Sequence, residues 1–239
     1  MTVRINCCSG PRNISTALMY SFAQRTDTTA LDEPLYAHYL SVTGREHPGR
    51  EEVLAVQDSN GERVITEVIL GWYDTPVVFF KQMAHHIIGL DRAFLDSCRN
   101  VLLVRDPAEM IASLSARIGD FDLADTGLES QMELLDEMLL RGIEPLVIDA
   151  TILRRDPERT LTALCERLGI GFDSAMLSWP TGPKPEDGVW ARYWYDAVHT
   201  SSGFRSWQQT FVDVPERLQH VLGSALPLYS RLLEYALLR

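Results

Sequence analysis

The sequence predicts an α/β fold, a three-layer sandwich in which a central parallel sheet is flanked by helices. Three observations predict it: short strand-like segments alternate with segments of helical periodicity, the segment over 76–83 is a continuous apolar run, and turn residues separate the two kinds. Continuous apolar strands are typical of parallel sheets buried on both faces. The 239 residues suffice for a single domain, 1–239, and contain no internal repeat.

The composition restricts the expected partners and compartment. A formal charge of −11 argues against nucleic acid and anionic membranes as partners, so any anion site must be local. The four cysteines lack metal-ligand spacing, which favours a reduced cytoplasm. No signal peptide precedes the first strand, and no apolar run reaches the roughly 18 residues of a membrane span. We therefore expect a cytoplasmic protein without a metal, and the oligomeric state stays open.

An anion-binding loop is predicted after the first strand, which begins at Val3. The strand stops at Ser9, and a tight polar turn opens a helix over about 14–24. Unpaired backbone N–H groups and the positive end of the helix dipole make such a turn a site for an oxyanion. A guanidinium and two hydroxyls add to it. The predicted loop contains Gly10, Pro11, Arg12, Asn13, Ile14, Ser15 and Thr16.

Two other interpretations of this loop were weighed. A Walker A loop requires Gly-Lys-Ser/Thr where this chain has Ser15-Thr16-Ala17, which counts against a nucleotide triphosphatase or an ordinary kinase. The remaining alternative is a plain strand-to-helix turn in which Ser15 caps the helix.

A carboxylate pair ends the second predicted strand. The β-prone run that begins at Thr28 reaches Asp32 and Glu33, and the carboxyl end of this strand lies at the same sheet edge as the loop. A carboxylate at that edge can act as a base. The alternative is that Asp32 caps the following turn and Glu33 is solvated.

A lysine and two histidines mark the end of the third predicted strand, 76–83. Lys81 lies in the strand, and His85 and His86 follow it, where open α/β sheets place their chemistry. Adjacent histidines point to different faces, so we expect at most one to face a substrate. They lack the spacing and partners of a metal pair.

A second anion site is predicted at the end of the fourth strand, 99–107, which runs directly into a helix. Arg105 lies at the strand end, and Ser113 lies about two turns into the helix, which has Pro107 in its first turn. The two side chains can converge on one anion, and the alternative is that Arg105 pairs with Asp106.

The remaining segments complete the predicted alternation of strands and helices. Residues 172–210 are rich in Trp, Tyr, Pro and Gly and predict an ordered loop or lid. The other predicted segments are a mobile stretch over 38–60 with a short helix at 51–57, a helix over 62–72, a helix over 123–141, a strand over 144–149, a helix over 157–168, and C-terminal helices over 214–238 broken near Pro227.

The two predicted anion sites resemble those of a known family, the PAPS-dependent sulfotransferases of the bacterial type. PAPS is 3′-phosphoadenosine 5′-phosphosulfate. Residues 9–16 resemble the phosphosulfate-binding loop of the family, and 101–107 with Ser113 resemble its 3′-phosphate-binding strand and helix. Further similarity at 149–151, 156–158 and 164–169 extends the resemblance over nearly the whole chain. It implies a P-loop-like sulfotransferase fold, PAPS as co-substrate, and transfer of a sulfuryl group to a hydroxyl or amine of a small-molecule acceptor.

The resemblance also implies roles for particular residues. Glu33 is similar to the glutamate base of bacterial members, and Lys81 with His85 is similar to the Lys-x-His of the cytosolic type. The late Arg-Lys-Gly element of the family is absent, and the segment with Gly203 and Arg205 is its nearest candidate.

Two substitutions separate the loop from the family pattern: Arg12 replaces a lysine, and Ile14 stands where glycine is frequent. Two other functions stay open at this point: a non-catalytic nucleotide-binding or anion-binding member of the fold, and a P-loop-type phosphotransferase.

Overall fold

A five-stranded parallel sheet forms the centre of the structure. The computed structural model describes residues 2–208 and 212–238. The strands are β1 (Val3–Ser9), β2 (Thr28–Asp32), β3 (Val77–Met83), β4 (Arg99–Val104) and β5 (Leu146–Asp149). Their order in the sheet is β2-β3-β1-β4-β5, and every neighbouring pair is parallel. All five carboxyl ends therefore share one edge.

Helices and turns connect the strands. The α-helices of the described residues are α1 (Ser15–Ala23), α2 (Tyr36–Thr43), α3 (Arg50–Val56), α4 (Gly61–Val64), α5 (Pro107–Ser115), α6 (Leu128–Leu140), α7 (Ala150–Arg155), α8 (Pro157–Leu168), α9 (Ala191–Trp194), α10 (Asp196–His199) and α11 (Gln219–Leu233). A π-helix (Ile65–Ile69) continues α4, and 3₁₀ turns lie at Ala84–Ile87, Arg92–Ser97, Ala124–Thr126, Ser174–Leu177 and Glu216–Leu218.

The sheet is buried on both faces. On one face Val78, Phe80 and Leu102 pack in a cluster with residues of α5, α6 and α11. On the other face Phe79 and Leu103 pack in a cluster with residues of α1 and α8. Burial on both sides explains the continuous apolar runs of the inner strands, such as 77–80 in β3 and 101–104 in β4. The predicted α/β sandwich with a central parallel sheet flanked by helices is confirmed.

Three aspartates start the helices that follow the carboxyl edge. Asp106 accepts from the backbone N–H groups of the first turn of α5, Asp149 does the same for α7, and Asp156 for α8. Each supplies an acceptor to donors that have no partner within the helix. The caps of Asp106 and Asp149 hold the short connections from β4 to α5 and from β5 to α7, whereas Asp156 starts α8 directly after α7.

Four segments differ from the sequence expectation. The segment predicted to be mobile over 38–60 contains α2, whose buried side chains pack with Trp190 of the aromatic-rich segment, a contact that local periodicity cannot reveal. The predicted helix over 123–141 is divided at Gly127, where φ is +72°, and α7 was not predicted. Helix α11 passes through Pro227 without a break. Residues 209 and 210 of the predicted lid lie outside the described residues.

No helix in the described ranges is both long enough and apolar enough to span a bilayer.

Candidate active site

A cavity of about 910 Å³ opens at the carboxyl edge of the sheet. Every candidate site residue predicted from the sequence borders it, which means that positions spread over most of the chain meet in one place. These residues are Gly10, Pro11, Arg12, Asn13, Ile14, Ser15, Thr16, Glu33, Lys81, His85, Arg105, Ser113, Gly203 and Arg205.

The side chain of Asn13 fixes the loop after β1 through two hydrogen bonds. Asn13 Nδ2 donates to the Leu103 carbonyl at 2.8 Å, and Asn13 Oδ1 accepts from the Ile14 N–H at 2.9 Å. Ile14 precedes α1, and no side chain caps the helix. The alternative of a Ser15 cap is therefore wrong. The first residues of α1 line the cavity, and no side chain caps the start of the helix, as an oxyanion site requires.

Gly10 permits the close approach of this loop to the segment before α6. A Cβ placed on Gly10 would lie 2.4 Å from the Thr126 carbonyl oxygen, which is backbone and cannot turn aside. We expect Gly10→Ala to lower the free energy of unfolding by about 1–3 kcal/mol, because the loop must shift. Urea denaturation measures the change. Gly119→Ala is the matched control, since a Cβ there meets nothing within 4 Å, and equal stability of the two variants would contradict the prediction.

Two arginines and a serine meet beside the loop. Arg12 Nε donates to Ser113 Oγ at 3.2 Å, and Arg105 Nη1 donates to the Arg12 carbonyl at 2.6 Å. Arg105 also forms an ion pair with Glu109 at 2.9 Å, while Asp106 caps α5, so the alternative of an Arg105–Asp106 pair is wrong. Burial, followed by repulsion from neighbouring arginines, lowers the pKa of Arg12. An anion in this place would relieve that repulsion.

Backbone strain is concentrated at the cavity. Arg12 has φ +53° and Glu33 has φ +40°, and no other non-glycine residue in the described ranges has a positive φ. Such a conformation costs roughly 1–2 kcal/mol for a residue with a Cβ. The Glu33 N–H donates to the Lys81 carbonyl at 2.8 Å, and Gln57 Nε2 donates to the Glu33 carbonyl at 3.1 Å. Strained residues that the surroundings hold in place are typical of functional sites.

Lys81 lies between two carboxylates in the interior. Its ammonium is 2.8 Å from Asp32 Oδ1, contacts Glu33 Oε1, and is 2% exposed as a side chain. The alternatives in which Asp32 caps a turn and Glu33 is solvated are therefore wrong. Burial raises the pKa of Glu33 although Lys81 lowers it, and the two carboxylates outweigh burial and raise the pKa of Lys81 well above 10.5.

The aromatic-rich segment contacts this charged cluster directly. Tyr195 Oη donates to Asp32 Oδ2 at 2.7 Å and accepts from the Lys81 ammonium at 2.8 Å. Trp190 Nε1 donates to the same hydroxyl at 3.1 Å, and the Gly188 N–H donates to Asp32 Oδ2 at 3.2 Å. The sequence reasoning missed Tyr195, whose only signal was membership of a run of aromatic residues.

Two neutral histidines border the cavity next to Glu33. Burial, followed by nearby His47 and Arg45, lowers the pKa of His85 to about 4. Burial also lowers the pKa of His86, whose Nδ1 lies 3.8 Å from Glu33 Oε2. The Nδ1 atoms of both rings lack a hydrogen-bond partner within the described ranges. Both histidines line the cavity, and the expectation that at most one of them faces a substrate stays a prediction.

The far end of the cavity holds a further arginine that the sequence reasoning missed. Arg154 of α7 donates from Nη1 to Glu109 Oε2 at 3.4 Å and from Nε to the Arg205 carbonyl at 3.1 Å. Its position just after the end of β5 was the available signal. In the described part of the chain, no three His, Cys, Asp or Glu side chains are grouped to hold a metal ion.

Comparison with known proteins adds two plant relatives. The chain is 40% identical over 227 residues to "Branched-chain-amino-acid aminotransferase-like protein 1" of Arabidopsis thaliana, and 38% identical over 227 residues to "Branched-chain-amino-acid aminotransferase-like protein 2" of the same plant. Each match covers 95% of this chain, but only 41% and 40% of the relatives. The chain thus spans about two fifths of the curated relatives it matches, and their names describe much longer proteins.

Solved structures with a similar fold are sulfotransferases. A sulfotransferase domain from the curacin biosynthetic pathway has a TM-score of 0.55 at 15% identity, covering 95% of this chain and 98% of that one. A sulfotransferase from Alicyclobacillus acidocaldarius has a TM-score of 0.56 at 12% identity, covering 98% and 95%. The sulfotransferase domain of the Synechococcus PCC 7002 olefin synthase has a TM-score of 0.51 at 18% identity, covering 94% and 95%. At these identities the likeness is one of fold.

A family match covers nearly the whole chain and agrees with the resemblance noted in the sequence. The family described as "Sulfotransferase domain" matches residues 3–236, which include all five strands and the entire cavity lining. The chain therefore belongs to the sulfotransferase domain family.

Proposed function

We propose that the protein transfers a sulfuryl group from PAPS to a hydroxyl or amine of a small-molecule acceptor. The observation that carries the proposal is the meeting of Arg12, Arg105 and Ser113 at the start of α1, in the same cavity as the buried Glu33. Cations at one end and a carboxylate at the other suit a reaction between an anionic donor and a neutral nucleophile.

The residues present fit a donor with two anionic groups. The loop N–H groups and Arg12 would hold the phosphosulfate, and Arg105 with Ser113 would hold the 3′-phosphate. PAPS supplies an electrophilic sulfur and a bisphosphate leaving group. Arg12 keeps the charge of the family lysine, and its planar fork can reach two oxygens at once.

Glu33 is assigned as the base that accepts the proton of the acceptor. Burial raises the pKa of Glu33 toward the working pH, where general bases are most effective, and Glu33 lines the cavity. Lys81, beside it, supplies positive charge next to the reacting oxygens. His85 is neutral, and its unpartnered Nδ1 can accept a hydrogen bond from the acceptor hydroxyl. The four cysteines are free thiols, which fits the proposed cytoplasmic location.

A non-catalytic anion-binding protein is the second candidate. The observation that favours it is the pairing of Lys81 with both Asp32 and Glu33, which occupies its ammonium within the protein. Under this alternative the bisphosphate binds, but no acceptor is sulfated. A phosphotransferase has less support, because the loop lacks the Lys-Ser/Thr pair.

Calorimetric titration with adenosine 3′,5′-bisphosphate tests the donor site. We expect wild-type protein to bind it with micromolar affinity, and Arg105→Ala to bind at least tenfold more weakly, since a charge-assisted contact contributes about 1.5–3 kcal/mol. Arg159→Ala, an exposed arginine of α8, is the control for lost charge. Absence of bisphosphate binding, or a preference for ATP with magnesium, would refute the proposed donor.

A further inference from the structure

The sheet order arranges the site residues in a row along one edge. Glu33 follows β2, Lys81 lies near the end of β3, the anion loop follows β1, Arg105 follows β4, and Arg154 lies in α7 after β5. Neighbouring strands are about 4.8 Å apart, so the row of five positions spans roughly 19 Å. The base lies at one end and Arg154 at the other.

The environment of Arg154 leaves part of its charge available. Arg105 and Arg154 share one carboxylate oxygen, Glu109 Oε2, at 2.9 and 3.4 Å. The other oxygen of Glu109 accepts from Trp207 Nε1 at 2.9 Å. Two guanidiniums against one carboxylate leave a net positive charge, and within the described ranges Nη2 of Arg154 has no protein acceptor. The side chain of Arg154 is 19% exposed and borders the cavity.

Arg205 is less suited to this end of the cavity. Its Nη2 donates to the Ala197 carbonyl at 2.9 Å and to Thr200 Oγ1 at 2.8 Å, and the residue is exposed. The backbone carbonyl of Arg205 accepts a hydrogen bond from Nε of Arg154 at 3.1 Å and so orients the Arg154 guanidinium.

We infer that Arg154 is a further donor-binding residue that contacts the 3′-phosphate together with Arg105 and Ser113. The inference rests on the proposed function, and the observation behind it is that Arg154 shares the Glu109 carboxylate with Arg105 at the border of the cavity. A phosphate dianion carries two negative charges, and the guanidinium of Arg105 balances one of them. The guanidinium of Arg154, which lies after the neighbouring strand β5, would balance the other.

A comparison of two nucleotides tests the inference. Wild-type protein and Arg154→Ala are titrated with adenosine 3′,5′-bisphosphate and with adenosine 5′-monophosphate, which lacks the 3′-phosphate. We expect the variant to lose about 10- to 100-fold in affinity for the bisphosphate and less than about threefold for the monophosphate. Arg154→Lys should recover part of the loss, and Arg159→Ala should behave as wild type.

The outcomes separate the inference from the proposal beneath it. Equal loss for both nucleotides in Arg154→Ala would mean that Arg154 only maintains the structure, and unchanged bisphosphate affinity would mean that it does not reach the ligand. Either result overturns the inference while the donor site stands. Failure of the wild-type protein to prefer the bisphosphate over the monophosphate would overturn both.

Discussion

Replacing Lys81 with alanine is expected to lower the free energy of unfolding by about 3–5 kcal/mol, because removal of one partner leaves buried charge uncompensated. Lys81 is the cation that contacts both Asp32 and Glu33, and its side chain is 2% exposed. Urea denaturation at pH 7 measures the loss. Lys184→Ala is the matched control, since Lys184 is the other of the two lysines in the chain and lies only partly buried.

The deficit of Lys81→Ala should shrink as the pH falls. Burial already raises the pKa of Glu33 above 4.5, and loss of the lysine removes the opposing charge and raises it further. A carboxyl whose folded pKa lies above its unfolded value stabilises the fold below the unfolded pKa and loses that contribution as pH rises through the folded pKa. Lowering the pH toward 4.5 protonates Glu33 and therefore reduces the loss of stability in Lys81→Ala. A deficit under about 1 kcal/mol at pH 7, or one that grows on acidification, would contradict this account.

Replacing Glu33 with glutamine should abolish most of the transfer while preserving donor binding. Loss of a general base lowers the rate by about 10²- to 10⁴-fold, and glutamine keeps the volume of the side chain but cannot accept the proton. The measurement uses labelled PAPS with a panel of hydroxyl and amine acceptors, beside titration with the bisphosphate. Bisphosphate affinity should stay within about threefold of wild type, because Glu33 follows β2 and Arg105 follows β4, with β3 and β1 between them in the sheet.

His85→Asn separates the two candidate bases. If Glu33 takes the proton, His85→Asn lowers the rate less than Glu33→Gln does. The reverse order would assign the base to His85, whose pKa of about 4 keeps it neutral at pH 7. If neither the wild-type protein nor Glu33→Gln sulfates any acceptor of the panel while both bind the bisphosphate, the non-catalytic alternative is favoured.

Local patterns were sufficient for much of the site. Arg12, Arg105 and Glu33 each lie within a few residues of a strand end, and the parallel arrangement brings all strand ends to one edge. The interval of eight residues between Arg105 and Ser113 places the serine on the same side of α5 as the loop, where it contacts Arg12. These positions follow from strand ends and helix periodicity, which are readable along the chain.

Other parts of the site had no local signal. The segment that contains most of α2 was expected to be mobile. Its burial depends on Trp190 from a distant segment, and the local sequence does not show that contact. Tyr195 and Asp32 are 163 residues apart, and nothing in either neighbourhood indicates their hydrogen bond. Arg154 follows a strand end as Arg105 does, but only the position of Glu109 shows that the two guanidiniums converge.

Local sequence was enough to predict the fold class, which is confirmed, because strand continuity, helix starts and turn residues are properties of neighbouring residues. The same local patterns predict the candidate anion loop and the edge of the sheet at which the candidate site lies. The tertiary structure alone decided the pairing of Lys81 with Asp32 and Glu33, the strained backbone of Arg12, and the order of charges along the edge. Sheet order and packing against distant segments set these features, and both depend on contacts between residues that are far apart in the sequence.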